Sequence, residues 1–321
     1  MMNGIVIFFR FLIKHKWKIV LTFSMTIAFL VLLFPLSDLN DLISSQVSKL
    51  TNNRVFVQFD KMHLNPLTTS ISLEKVYVET PQISSLTSEE LSLRPSIAAL
   101  IAKKPGGTIS AKGFLKGDLE ISIHPTSSAN GVDKSKIDIN ANNISLNEAR
   151  EVANISLPIK GQLSLTSQAV ADLTMTEQPE VDLNLTIMKF ELASTFVPLN
   201  DFGQIALPEI KMSKVELKGR LSNGKFTIET GKLGSTQDEL YGDIKGDLSV
   251  SFQNINGQVT PVIGAYNITL DIKAKPSFKD KAKLFLSFLD GYKVDSGAVS
   301  NYKFKVYAAE MGMPPQFTPM K

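Results

Sequence analysis

The sequence predicts a mainly β protein, in which a single N-terminal transmembrane helix is followed by a large curved antiparallel β-sheet with a few short helices. Three observations predict this class. A charge-free apolar run lies near the N-terminus, most of the remaining chain alternates apolar and polar residues, and helical periodicity is confined to short stretches. With 321 residues, of which 43% are hydrophobic and 20% charged, the chain has the composition of a folded protein.

The apolar run predicts a membrane anchor. At about 1.5 Å per residue, a helix over Trp17–Leu36 would span roughly 30 Å, the thickness of a hydrocarbon core. Positive charge precedes the run and acids follow it, so the N-terminus is expected in the cytoplasm. The segment "LLFPLSDLND" lacks the small residues of a cleavage site, so retention is favoured over removal as a signal peptide. The anchor and flank residues are Arg10, Lys14, Lys16, Trp17, Lys18 and Pro35.

The periodicity divides the chain into segments. These are a cytoplasmic stub (1–16), the anchor (17–36), a first β segment with short helices (37–126), a polar linker (127–135) and a second β segment (136–321). The Asn-Gly pair at Asn223 predicts a tight hairpin.

Short helices are expected at four places. Residues 38–51 repeat apolar side chains at steps of three and four, and a turn or two of helix is expected after Pro95. Capping boxes predict helices that begin at Ser145 and at Ser277, the second ending near Gly291.

These helices are too few to cover the apolar faces of so many strands. The sheet is therefore expected to close, to fold on itself, or to leave an apolar groove. The candidate groove residues occupy alternate positions in three predicted strands: Val181, Leu183, Leu185, Leu248, Val250, Leu270 and Ile272.

The sequence shows no recognisable chemistry. There is no cysteine, which excludes disulfides and thiol catalysis, and the three histidines are scattered. Beyond residue 37 basic and acidic residues nearly balance, which argues against nucleic-acid binding. No phosphate-binding or nucleophile motif occurs. We therefore predict no catalytic, cofactor-binding or metal-binding residues and expect that the protein is not an enzyme.

Four stretches carry a family resemblance. They are "LTNNRVFVQFDKMHLNPLTTSISLEKVYVET", "LTSEELSLRPSIAALIAKKPGGTISAKGFLKGDLEISI", "IALPEIKMSKVELKGRLSNGKFTIETGKL" and "SNYKFKVYAAEMGMPP". The first two resemble AsmA-like periplasmic proteins. The overall length and the last two stretches resemble, more particularly, the type II secretion system protein N (GspN) family, and the similarity spans most of residues 17–315. The resemblance implies a single-pass protein of the Gram-negative inner membrane whose bulk is periplasmic. It implies as partners the inner-membrane platform proteins of the secretion system, with the outer-membrane secretin as a further candidate.

Two functional hypotheses follow. The leading one is a non-enzymatic component of a type II protein secretion system, acting in assembly or subunit interaction. The alternative is an AsmA-like lipid-binding or lipid-transfer module, whose apolar β groove would serve outer-membrane maintenance.

Overall fold

The computed structural model describes residues 15–33, 39–65, 68–81, 85–126, 133–173, 177–199, 203–255, 258–295, 297, 299–310 and 313–320. The predicted flank residues Arg10, Lys14 and Pro35 lie outside these ranges.

Two helices open the described chain. Helix α1 is Lys16–Leu33 and α2 is Asn40–Leu50, which confirms the amphipathic helix expected over 38–51. Lys16, Trp17 and Lys18 lie in the first turn of α1 with exposed side chains. In the described part of the chain, no helix is long and apolar enough to cross a membrane.

One antiparallel sheet of 16 strands dominates the structure, which confirms the predicted class of a mainly β protein with few short helices. Nearly every strand pairs with its neighbours in sequence, and the ladder runs in a line from β1 to β16 without joining its ends. Its strands are β1 (Phe56–Gln58), β2 (Lys61–Asn65), β3 (Ser70–Glu79), β4 (Leu86–Pro95), β5 (Gly107–Phe114), β6 (Gly117–Pro125), β7 (Lys134–Ser145), β8 (Ile159–Asp172), β9 (Glu180–Leu192), β12 (Ile210–Ser222), β13 (Lys225–Leu233), β14 (Leu240–Ile255), β15 (Gln258–Ala274), β16 (Lys293–Asp295), β17 (Ser300–Ala308) and β18 (Gln316–Pro319).

A two-stranded sheet interrupts the sequence but not the ladder. Strands β10 (Thr195–Leu199) and β11 (Gly203–Leu207) form a separate hairpin, while β9 pairs directly with β12 across the insertion. Likewise β6 pairs with β7 on either side of the predicted linker, so both β segments belong to one sheet.

Four further helices connect or cover strands. They are α3 (Ile97–Ile101), α4 (Leu146–Val152), α5 (Pro276–Lys281) and α6 (Lys283–Ser287), and a 3₁₀ turn follows at Asp290–Tyr292. At α4 the predicted cap is confirmed, because the Glu148 amide donates to the Ser145 hydroxyl at 3.4 Å.

The predicted boundaries of the C-terminal helix are wrong. The helix begins at Pro276, whose fixed φ suits the first helical position, with Lys275 as N-cap in place of Ser277. It is interrupted at Ala282 and ends at Ser287, so Gly291 lies in the 3₁₀ turn. That turn is held by Tyr292, whose ring centroid is 5.4 Å from that of Phe304 and 6.3 Å from that of Phe317.

Two apolar cores lie at opposite ends of the strand order. At the N-terminal end, α2 packs through Leu39 and Ile43 onto Phe59, Met62 and Val76. At the C-terminal end, α5 and α6 bury one stripe of side chains against the sheet, made of Phe278, Ala282 and Leu286. This second core, called here the covered region, includes apolar residues of strands β9, β12–β15 and β17.

Glycines in the covered region allow its strands to approach closely. Gly246 has φ +143°, and a Cβ there would lie 2.1 Å from the Asn267 carbonyl oxygen on β15. Register shifts interrupt β12, β13 and β14 nearby, and such bulges bend strands. The Asn223–Gly224 turn between β12 and β13 has positive φ at both residues, which confirms the predicted hairpin.

Candidate functional site

The candidate site is the apolar face of the sheet between the two cores, over β4–β9. Directly paired residues of neighbouring antiparallel strands point to the same face, so the register identifies which side chains lie together. One row across β4–β9 is entirely apolar: Leu91, Ala111, Leu119, Ala141, Leu165 and Leu185. The adjacent row is apolar except at one serine: Leu93, Ile109, Ile121, Ile139, Ser167 and Leu183. We call these two rows the open region.

Burial in the open region differs with side-chain size. Ala111 and Ala141 are buried, whereas Leu119, Leu165 and Leu185 are half-buried. Leu93 and Ile109 are more than two-fifths exposed. In a sheet covered by a second layer, large aliphatic side chains of this face would be the buried ones. The large side chains of the open region therefore keep apolar area that another apolar group can cover.

The predicted groove residues all lie on this apolar face and all are half-buried. The structure nevertheless divides them. Val181, Leu183 and Leu185 on β9 lie in or beside the open region, while Leu270 and Ile272 pack beneath α5 and α6 in the covered region. Leu248 pairs with Tyr266, and Val250 lies where the β14–β15 ribbon extends beyond β13.

A cavity of about 150 Å³ lies in the apolar face near β3–β6. Its lining is almost wholly apolar: Val76, Val78, Leu86, Thr87, Ser88, Leu91, Ile109, Ala111, Phe114, Leu119 and Ile121. The cavity is partly open to the surface, so an apolar group could enter it from the open region. None of these residues is among the predicted groove residues. The signal that would have found them is the alternation in "GTISAKGF" and "GDLEISI", which places Ile109, Ala111, Leu119 and Ile121 on one face.

The opposite face of the sheet is polar and carries cross-strand ion pairs. Arg220 and Asp182 approach to 3.2 Å, and the Lys112 ammonium lies 2.8 Å from the Glu90 carboxylate. The hydrogen bond from Lys112 lowers the pKa of Glu90 below its ordinary value. These groups are largely exposed, so each pair contributes little to stability, and the face is typical of a solvated surface.

Asp238 is the most strongly hydrogen-bonded carboxylate of the β13–β14 connection. Its Oδ2 accepts bonds from the Ser213 and Ser235 amides at 3.0 and 2.7 Å, and from the Ser213 hydroxyl at 2.7 Å. Burial raises the pKa of Asp238, but these hydrogen bonds outweigh burial and leave the pKa lowered. The arrangement ties β12 to the loop before β14.

Within the described ranges, no group of three or more histidines and carboxylates that could hold a metal ion occurs. His63 lies 3.0 Å from Glu74 on an exposed strand surface. The candidate site is thus an apolar surface.

Comparison of the chain with protein-family models, with curated proteins and with solved structures finds no match.

Proposed function

We propose that this chain is a non-enzymatic, membrane-anchored protein of the bacterial envelope whose apolar sheet face binds acyl chains of membrane lipids. One observation supports this most directly. The rows of the open region continue across six strands, and their large side chains are half-buried or, at Leu93 and Ile109, exposed. An acyl chain laid along these rows would cover apolar area that water now contacts.

The expected gain is substantial for a surface without polar contacts. Full burial of one Leu or Ile side chain contributes about 1.5–3 kcal/mol, so completing the burial of a half-buried one contributes less than about 1 kcal/mol. A chain that touches several such side chains would gain roughly 2–3 kcal/mol before the entropic costs of ordering it. Because the lining is uniformly apolar, it favours ligands according to the length of their hydrocarbon chain rather than the chemistry of their headgroup. In this role the protein would handle lipids for outer-membrane maintenance.

Lipid binding can be tested with one matched pair of variants. Leu185→Asp places a carboxylate on the apolar face, whereas Asn184→Asp adds the same group one residue away on the exposed polar face. Native mass spectrometry of the gently extracted full chain should show phospholipid bound to the wild type and to Asn184→Asp. Leu185→Asp should lose most of it. Wild-type protein without lipid, or equal lipid on both variants, would contradict the proposal.

The proposed location is the bacterial inner membrane, with one pass, a cytoplasmic N-terminus and a periplasmic sheet. The proposal is supported by the apolar sequence Trp17–Leu36 and its flanking lysines. N-terminal sequencing of the protein from cells should find residues that precede the anchor. A mature chain that begins near Ser37 would overturn this location.

A second candidate function is an assembly or interaction component of a type II secretion system. It is supported by the family resemblance and by the terminal strand β16, which within the described residues pairs only with β17 and could be extended by a partner strand. Platform proteins, and the secretin as a further candidate, would be the partners. Deleting the gene and assaying secretion alongside outer-membrane lipid integrity separates the two functions. A secretion defect with intact lipid asymmetry would favour the second.

A further inference from the structure

Helix α3 exposes an unusual apolar surface at one end of the sheet. Ile97, Leu100 and Ile101 lie three and four residues apart, on one helical face, and their side chains are 57%, 61% and 80% exposed. The helix is attached through its other side, where Ala99 is buried and Gly106 leaves room for it. Ser96 caps the helix through a hydrogen bond from the Ala99 amide at 3.3 Å. The apolar face is therefore held outward by a short, capped element and contributes nothing to either core.

Basic residues flank α3 in the sequence. The segment from Arg94 to Lys104 contains three cations and no acid. Arg94 and Lys103 are exposed, and Lys104 pairs with Asp133 at 2.7 Å. Aliphatic side chains framed by cations are the pattern of elements that lie in the interface of anionic bilayers.

Helix α3 lies outside the core that α2 covers. Helix α2 packs on Phe59, Met62 and Val76, and this core reaches β4 at Leu91, whereas α3 follows Pro95, the last residue of β4. Leu91 and Pro95 are four residues apart, about 14 Å at 3.4 Å per residue. A contact made by α3 is thus separate from the core that α2 covers.

We propose that the face formed by Ile97, Leu100 and Ile101 inserts into a bilayer surface that carries anionic headgroups, with Arg94 and Lys103 at the headgroup level. The face is small and holds no aromatic side chain, which fits shallow insertion in lipid better than a stable protein interface. This contact goes beyond acyl-chain binding on the open region and uses none of its residues.

The test is capture of vesicles by the full chain. The protein is held in nanodiscs of zwitterionic lipid on beads and incubated with fluorescent vesicles of phosphatidylcholine, with or without phosphatidylglycerol. The wild type should capture the anionic vesicles, and the double variant Leu100→Asp/Ile101→Asp should capture about tenfold fewer. Ile155→Asp is the matched control, because Ile155 is 44% exposed and lies beyond α4 at another connection.

A second measurement places the contact at α3 itself. Trp17 is the one tryptophan of the chain, so Ile101→Trp in a Trp17→Phe background gives a single reporter. Brominated lipids in the captured vesicles should quench this reporter and leave a tryptophan at position 155 unquenched. Equal capture by the wild type and the double variant, or an unquenched reporter at 101, would overturn the proposal. The proposal would also be overturned if position 101 cross-linked to a protein in cells and the full chain captured no vesicles in vitro.

A control separates this proposal from the proposed function. The amount of lipid bound on the apolar face, measured by native mass spectrometry, should be the same in all these variants, so failure of vesicle capture is distinct from failure of acyl-chain binding.

Discussion

The open and covered regions are built from the same alternating strands but end in different states of burial. In the covered region the apolar face meets α5 and α6, and Phe278, Leu286, Tyr302 and Phe304 are at most 5% exposed. In the open region the rows are as apolar, yet Leu119, Leu165 and Leu185 remain half-buried. Among the described residues, helices cover this face at the two ends of the strand order, α2 at one end and α5 and α6 at the other, and the open region lies between them. What the open region lacks is a covering element, not apolar character.

The largest effect on the free energy of unfolding is expected from removing a large side chain from the covered region. Phe278→Ala should lower the free energy of unfolding by about 3–5 kcal/mol, because it removes a large side chain that is 1% exposed. Urea unfolding followed by far-ultraviolet circular dichroism measures this. The control Phe288→Ala, at a side chain that is 59% exposed, should change stability by less than about 0.5 kcal/mol. Similar losses in both variants would mean that α5 and α6 do not form a core.

The next effect concerns the close strand approach in the same region. Gly246→Ala should cost roughly 1–3 kcal/mol, because alanine strains a backbone at φ +143° and its Cβ meets the Asn267 carbonyl. Gly291→Ala is the control, since no atom lies within 4 Å of the Cβ it would add. Thermal melts of the two variants should differ clearly. Equal melting temperatures would refute the steric argument.

A matched pair of leucines compares the two regions directly. Leu286→Ala, at a side chain that is 5% exposed, should lower the free energy of unfolding by about 2–5 kcal/mol. Leu185→Ala should lower it by about 1 kcal/mol, because folding buries less apolar area of Leu185 than of Leu286. Added phospholipid should widen the gap between wild type and Leu185→Ala in denaturant titrations. Equal costs without lipid would show that the open region is covered in solution.

The smallest effect is a dependence on pH in the β13–β14 connection. The lowered pKa of Asp238 stabilises the folded state above the ordinary aspartate pKa, and this contribution is lost as pH falls through the lowered folded value. Asp238→Asn should therefore be slightly less stable than wild type at neutral pH, by under about 1 kcal/mol, and the difference should shrink in acid. Unfolding midpoints measured at neutral and acidic pH report this. A difference that grows in acid would contradict the assigned hydrogen bonds.

The sequence predicted which residues share a face but not what covers them. Alternation placed Leu183, Leu185, Leu270 and Ile272 together, and the register confirms a common face. It could not separate Leu185 from Leu270, because the difference depends on where α5 and α6 fold back. That is a tertiary contact between segments distant in sequence.

Sequence signals for helix caps and turns gave correct predictions where the conformation depends on a few neighbouring residues. Ser145 caps α4 and Asn223–Gly224 turns the hairpin, as predicted. They failed at Ser277, where Pro276 had already begun the helix, and at Gly291, where aromatic contacts of Tyr292 hold a 3₁₀ turn. The predicted membrane anchor stays a prediction.

The linear strand order determines how further strands could be added to this sheet. Because nearly every strand bonds only to its neighbours in sequence, the sheet is quasi-one-dimensional, and each added hairpin would lengthen it by about 9.6 Å. The hairpin β10–β11 shows that even an extra pair of strands can be accommodated without breaking the bonds between β9 and β12. Such a chain can also form its structure progressively from the N-terminus, because each strand pairs with strands that lie close to it in the sequence. Its length is therefore an adjustable property, like that of a repeat protein, while its apolar rows stay in register.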